Sequence, residues 1–240
     1  CAQLGVNVIA YATGRQLREK GDTPKLEEEN ATSVLVNRAL NFPKLIHSGG
    51  SDEAPNAWKN MIKQLDAVGL QVSLEKKMVN ANIEEISDFP ILFMHGRSAF
   101  RFNDDQRAAL RAHLDSGGFI FADAICANES FRESFYKEVQ EITGERLQPI
   151  PPGHDIWSDK YSGRKIDRVT LRTKSGPPEG TLVAPEFDGV ELNGRLVVAL
   201  SRYDLSCAME NVAVSQCDGY TRQDAEKIAF NVLLYALRVD

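Results

Sequence analysis

Cysteine is scarce in this chain. There are 4 in 240 residues, Cys1, Cys126, Cys207 and Cys217, and no two stand as a CxxC pair. So few thiols exclude a small disulfide-built scaffold, and their spacing excludes a zinc knuckle. A basic tract is also missing. The 28 Lys and Arg are outnumbered by 34 Asp and Glu, for a net charge of −6, so neither a nucleic acid nor an anionic membrane is the expected partner. No apolar run approaches the roughly 20 residues that span a bilayer. What is present is ordinary for a globular protein: 42% hydrophobic and 26% charged residues exclude wholesale disorder. A chain of this length buries about 70–75% of its unfolded surface and needs no staple to fold.

The sequence begins at Cys1 without a signal-peptide pattern, which reads as an excised or processed piece. A lipidated cysteine is the sharper alternative, but the helical pattern Leu4, Val8, Tyr11 begins where a tether would be polar. Gly5-Val6-Asn7-Val8-Ile9-Ala10-Tyr11-Ala12 echoes Ala229-Phe230-Asn231-Val232-Leu233-Leu234-Tyr235-Ala236, with Asn, Val and Tyr-Ala at equal spacing. Residues 1–30 are therefore assigned to an N-terminal helix and linker. They are either the end of a preceding similar unit or a chance likeness of two amphipathic helices. Residues 31–240 form one domain.

Strands and helices then alternate. Ala39 to His47 reads as a strand, Pro55 to Val68 as a helix, Leu70 to Leu74 as a short strand and Phe89 to His95 as an apolar central strand. Asn103, with Gln106 three positions on, caps a helix through Leu114, and Phe119 to Ala122 is a further buried strand before a helix from Asn128 to Thr143. This alternation implies an α/β domain with a mostly parallel sheet and right-handed crossovers. Arg146 to Gly180, rich in Pro and Gly, reads as irregular. Asn193-Gly194 marks an antiparallel hairpin, and Thr221 with Asp224 opens the last helix.

Ligands of open parallel sheets sit beyond the carboxyl ends of the strands. That rule selects His47-Ser48-Gly49-Gly50, His95-Gly96-Arg97, Asp123 to Cys126, and Ser201 to Asp204 with Cys207 just beyond. Amides around Gly49 and Gly50 suit an anion, but Asp52 and Glu53 would repel it, so a tight turn is the favoured reading. Cys126, on a strand-to-helix turn, is placed where a helix N-terminus favours thiolate. The positions two residues either side are Ala124 and Asn128, so a Gly-x-Cys-x-Gly elbow is not met and a structural thiol is favoured. As a nucleophile it would need His154 or His95 as base, within about 3 Å. His113 reads as structural. Asp123, Glu129 and Asp204 offer a carboxylate site for a divalent cation or a sugar. Cys207 and Cys217 could close a loop, though free thiols are favoured. No motif calls for a cofactor or a resident metal.

The stretches Phe89-Pro90-Ile91-Leu92-Phe93-Met94-His95-Gly96, Gly117-Gly118-Phe119-Ile120-Phe121-Ala122-Asp123-Ala124 and Pro151-Pro152-Gly153-His154-Asp155-Ile156 resemble an uncharacterised bacterial family, domain of unknown function 4159. Gly194 to Val198, Asp204 to Ala208 and the closing Asn231 to Ala236 also resemble it, so the likeness covers about residues 38 to 240. It implies a class I glutamine amidotransferase-like fold, a flavodoxin-like three-layer sandwich, without an established reaction. The family often has a histidine two residues after the position of His95, where this chain has Arg97, so no role resting on that histidine carries over. Members often belong to longer, envelope-associated bacterial proteins, which implies a longer parent and a cell-envelope or periplasmic setting. The expectation is a non-catalytic domain binding a small molecule, glycan or protein, its site drawn from Gly49, Gly50, Arg97, Asp123, Glu129 and Asp204. The alternative is a hydrolase or transferase using Cys126 with a histidine base.

Overall fold

The computed structural model describes residues 39–172, 181–210 and 217–238. Residues 1–30, with Cys1 and the first copy of the repeated motif, lie outside them.

Two strands set the frame. β3 (Ile91–Gly96) and β4 (Phe119–Ala124) are buried at every position. Their side chains alternate between two cores: Ile91, Phe93, Phe119 and Phe121 on one face, Leu92, Met94, Ile120 and Ala122 on the other. A strand apolar on both sides must be covered on both, and the helices do this. On the first face pack α1 (Ala57–Ile62), which continues as a 3-10 turn to Val68, and the last helix, α6 (Arg222–Leu237). On the second pack α3 (Asp104–Asp115) and α4 (Glu129–Thr143). The cap of α3 is a full capping box: Asn103 accepts from the Gln106 amide and Gln106 from that of Asn103.

The main sheet has seven strands in the order β2-β1-β3-β4-β9-β8-β5, where β1 is Lys44–Leu45, β2 Met78–Val79, β5 Gln148–Pro149, β8 Phe187–Leu192 and β9 Arg195–Ser201. β2, β1, β3, β4 and β9 run parallel, and β8 returns antiparallel. The β8–β9 turn uses Asn193 and Gly194 at φ 52° and 72°, as the Asn-Gly signal requires. A second, three-stranded sheet joins β10 (Gly219–Tyr220), β6 (Val169–Arg172) and β7 (Thr181–Val183), all antiparallel.

Three expectations change. The strand read over Ala39 to His47 shrinks to Lys44–Leu45 plus a bridge from Leu40 to Val72. Leu70 to Leu74 supplies only that bridge, because its apolar side chains are satisfied at the rim of the first core, and the sheet strand is Met78–Val79. The Arg146 to Gly180 stretch is not all irregular, since it holds β5, a 3-10 turn at Asp155–Trp157 and β6. Buried Asn231 anchors it: its Nδ2 donates to the carbonyls of Ile156 (2.9 Å) and Arg164 (2.7 Å), and its Oδ1 accepts from the Arg164 amide (2.8 Å).

Candidate functional site

Parallel pairing puts His95, Asp123 and Ser201 in one row at the carboxyl ends of β3, β4 and β9. All three are buried. The chain leaving β9 folds back over this row as a short helix, α5 (Ser206–Met209), and buried acids hold it there. Asp123 accepts from the amides of Leu205 (3.0 Å) and Ser206 (2.7 Å). Asp204 accepts from the amides of Cys126 (3.0 Å) and Cys207 (3.0 Å). His95 Nδ1 lies 2.9 Å from Ser206 Oγ. All but the Asp204–Cys207 bond, which closes the loop on itself, tie the loop after β9 to a neighbouring strand end, and unmade buried bonds are costly.

Strand pairing also explains the sulfurs. Asp204 bridges to Gly219, and the Tyr220 amide donates to the Asp204 carbonyl (3.1 Å). This returns the chain to α5 just after Cys217. The result is a Cys126–Cys217 disulfide, with Cys207 Sγ 3.3 Å from Cys217 Sγ and 3.7 Å from Cys126 Sγ. Cys207 is the free thiol among the described cysteines and is buried. The reading of Cys126 as an unpaired thiol is thus corrected, and Cys217 bonds to it rather than to its near neighbour Cys207. Cys126 and Ala127 take left-handed backbone angles, φ 55° and 54°, in a region that non-glycine residues enter at a cost of about 1–3 kcal/mol each.

Burial dominates the electrostatics. It pushes the Asp123 carboxyl up to about 8, with the Asp204 charge adding, and raises Asp204 in the same way. Burial, then the charge of Asp204, lifts the Cys207 thiol to about 12. His95 is pulled down to about 3 by burial, with Lys44 contributing, so it is neutral at physiological pH and its buried Nε2 lacks a well-formed hydrogen bond. A hydrogen bond with the Ser51 backbone partly opposes the lowering.

The other expected residues are spread more widely. Arg97, half-exposed, sits at the mouth, with Nη2 3.5 Å from Cys126 Sγ and Nε 3.2 Å from Glu53. The Gly49 carbonyl accepts from the amides of Arg97 (2.9 Å) and Ser98 (3.1 Å), and the Gly49 amide donates to His47 Nδ1 (3.0 Å). Gly50 turns the chain at φ 94°. The Gly49 amide and carbonyl are thus both taken up inside the turn. Glu129 is exposed at the start of α4, apart from the two buried acids, whose oxygens already face amides. His154 is not brought to Cys126. Its Nδ1 accepts from the Ile156 amide (3.1 Å), and its ring packs on Tyr235 beside Glu191. The Tyr235 hydroxyl meets the Leu196 amide at the start of β9, roughly 17 Å along the strand from the site. The hydrogen bond of His95 goes to Ser206, so neither candidate base touches the sulfur.

Sequence reasoning missed Lys44, Ser206 and the role of Cys217. Lys44 is 2% exposed and pairs with Asp52 at 2.8 Å, where Lys76 also reaches. A lysine between Pro43 and Leu45 in an apolar strand was its visible signal. Ser206 precedes Cys207 but is placed only by the fold-back of α5.

The family model for a domain of unknown function (DUF4159) matches residues 41–237. The chain belongs to this family. No curated protein matches it. DUF4159 as represented here is a mixed α/β domain whose described residues include no helix long and apolar enough to cross a membrane.

Proposed function

We propose that this DUF4159 domain binds rather than catalyses, and that its site is the carboxyl end of the sheet around Arg97, Cys126 and the loop after β9. One observation carries this reading: the candidate nucleophile and the two buried acids are already engaged by the fold. Cys126 is in a disulfide, Asp123 and Asp204 are held by backbone amides, and His95 is buried on Ser206. Arg97, paired with Glu53, is an exposed cation at the mouth. The scaffold is taken as flavodoxin-like and related to class I glutamine amidotransferases. Two features support this. The parallel strands, counted in chain order, lie 2-1-3-4-5, the second common doubly wound order. A left-handed Cys126 stands between β4 and α4. The disulfide favours an oxidising setting such as a bacterial periplasm, and the ligand is a small molecule, glycan or protein segment of the parent's surroundings.

That same strained Cys126, with Arg97 beside its sulfur, favours a second reading in which reduction frees a nucleophile for hydrolysis or group transfer. An activated aryl ester separates the two. The reduced protein is expected to release no burst of phenolate. A burst equal to the protein concentration, lost in Cys126→Ser, sinks the binding reading. A panel of glycans and peptides is then expected to yield a ligand that raises the melting temperature, with Arg97→Ala abolishing the rise.

A further inference from the structure

Three sulfurs meet at this site, and a lone buried disulfide needs only two. Cys126, Cys207 and Cys217 each offer one sulfur, and all three lie within 4.8 Å of one another. They come from three separate places: the β4–α4 turn, the first turn of α5 and the approach to β10. We propose that, once a dithiol reduces the Cys126–Cys217 bond, these sulfurs form a three-thiolate site for one thiophilic d10 cation of the Zn2+ class. The inference rests on the binding reading of the carboxyl end and names a ligand for it.

The geometry supports this in three ways. Thiolates around a tetrahedral zinc, with Zn–S near 2.3 Å, stand about 3.8 Å apart. The separations of Cys207 from its neighbours, 3.3 and 3.7 Å, are already close to that. Only the bonded pair must part, by about 1.7 Å between an ordinary disulfide and a thiolate pair. Second, the backbone that holds two of the sulfurs is fixed without the disulfide. Asp204 accepts from the amides of both Cys126 and Cys207, which is how outer groups orient metal ligands. Third, a cation already stands beside the cluster, held there by Glu53. A dication on three thiolates carries a net −1, and Arg97 lies 3.5 Å from Cys126 Sγ. Cys126 is the partly exposed member of the three, so the fourth coordination position opens outward beside Arg97 and is free for an external donor.

The chemistry closes without further reagents. The dithiol becomes a cyclic disulfide, and its two hydrogens end on the sulfurs of Cys126 and Cys217. The cation then displaces three thiol protons to solvent.

Cadmium is the probe, because its thiolate charge-transfer absorption counts sulfurs, and zinc competes for the same site. The full chain is reduced with dithiothreitol, freed of reductant without oxygen, and titrated. One equivalent of Cd2+ should give the absorption of three thiolates, protect Cys126, Cys207 and Cys217 from alkylation, and raise the melting temperature. Cys207→Ser, which leaves the disulfide partners in place, should lower the absorption by one third and the affinity at least tenfold. Equal binding by Cys207→Ser, no binding, or a melting temperature lowered by metal (the mark of thiols binding in the unfolded chain) would each overturn the site. These outcomes are distinct from the phenolate burst, which tests the binding reading alone.

Discussion

The two ends of the central sheet are both closed by polar groups, yet in different ways. At the amino end, Arg195 donates to the carbonyls of Gly117 (2.8 Å) and Gly118 (3.0 Å), and the Tyr235 hydroxyl meets the Leu196 amide. The Arg195 bonds finish strand ends with partners that remain partly in reach of water. At the carboxyl end the closing groups are titratable and deeply buried: Lys44, His95, Asp123, Asp204 and Cys207. The amino end closes with fewer buried titratable groups, His113 and Tyr235 among them. Burying five titratable groups at the other end is a cost that packing alone does not require, and that contrast locates the site.

Truncation should show the difference most strongly. Asp123→Ala leaves the buried amides of Leu205 and Ser206 without an acceptor and removes the tie between β4 and α5. Its expected cost is about 3–5 kcal/mol, from two unsatisfied buried donors. Arg195→Ala removes two hydrogen bonds as well, but water can reach the vacated carbonyls, and about 1–2 kcal/mol is expected. Urea unfolding of the pair decides this. Equal losses would mean that the carboxyl end is no more tightly closed than the other.

Glycine contacts offer a second, smaller comparison. A methyl at Gly96 would collide with the Gly49 carbonyl oxygen, backbone against backbone, where the β1 and β3 loops meet. A methyl at Gly118 would strike the ring of His113, a side chain that can shift. Gly96→Ala should therefore cost about 3 kcal/mol and Gly118→Ala about 1–2 kcal/mol, within the usual range for overpacking. The reverse order, read as midpoints in urea, would place the rigid contact at the amino end.

Much of this was legible in the sequence, and what was not has a common cause. The uninterrupted apolar stretches of β3 and β4, the Asn103–Gln106 cap and the Asn193-Gly194 turn are local signals, and the structure follows them. The strand-end rule also brought Arg97, Asp123, Cys126, Asp204 and Cys207 to one place. The partners of those residues were not legible. Cys126 and Cys217 are 91 positions apart, and their meeting depends on β10 returning beside Asp204, which no local pattern announces. His154 follows Pro151-Pro152-Gly153, a local pattern that does not say where the ring lands, and Tyr235, one helix turn beyond Asn231, fixes it at the far end of the sheet. Local periodicity reports which face a residue takes. Long-range pairing decides what it touches.

Acid titration gives the finest test of the two ends. His113, buried against the amino end, is drawn down to about 4 by burial. A histidine kept neutral in the fold binds fewer protons folded than unfolded below about 6.5, so stability falls as pH drops through that window. His95 at the carboxyl end acts in the same direction, down to about 3. Asp123 acts in the opposite one. Its folded value of about 8 keeps a proton that the unfolded chain has lost above about 4, so its contribution falls as pH rises between those limits. Between pH 4.5 and 6 His95 and Asp123 therefore oppose each other, with buried His47, drawn down to about 4, on the histidine side and the raised Asp204 on the carboxyl side. In that window His113→Gln should lower the slope of unfolding free energy against pH by about 1 kcal/mol per unit, and Asp123→Asn should raise it by about the same. Slopes are compared, so the fixed cost of each substitution drops out. If Asp123→Asn leaves the slope unchanged, the buried acid is ionised in the fold across this range, and the carboxyl end carries a negative charge that awaits a cation.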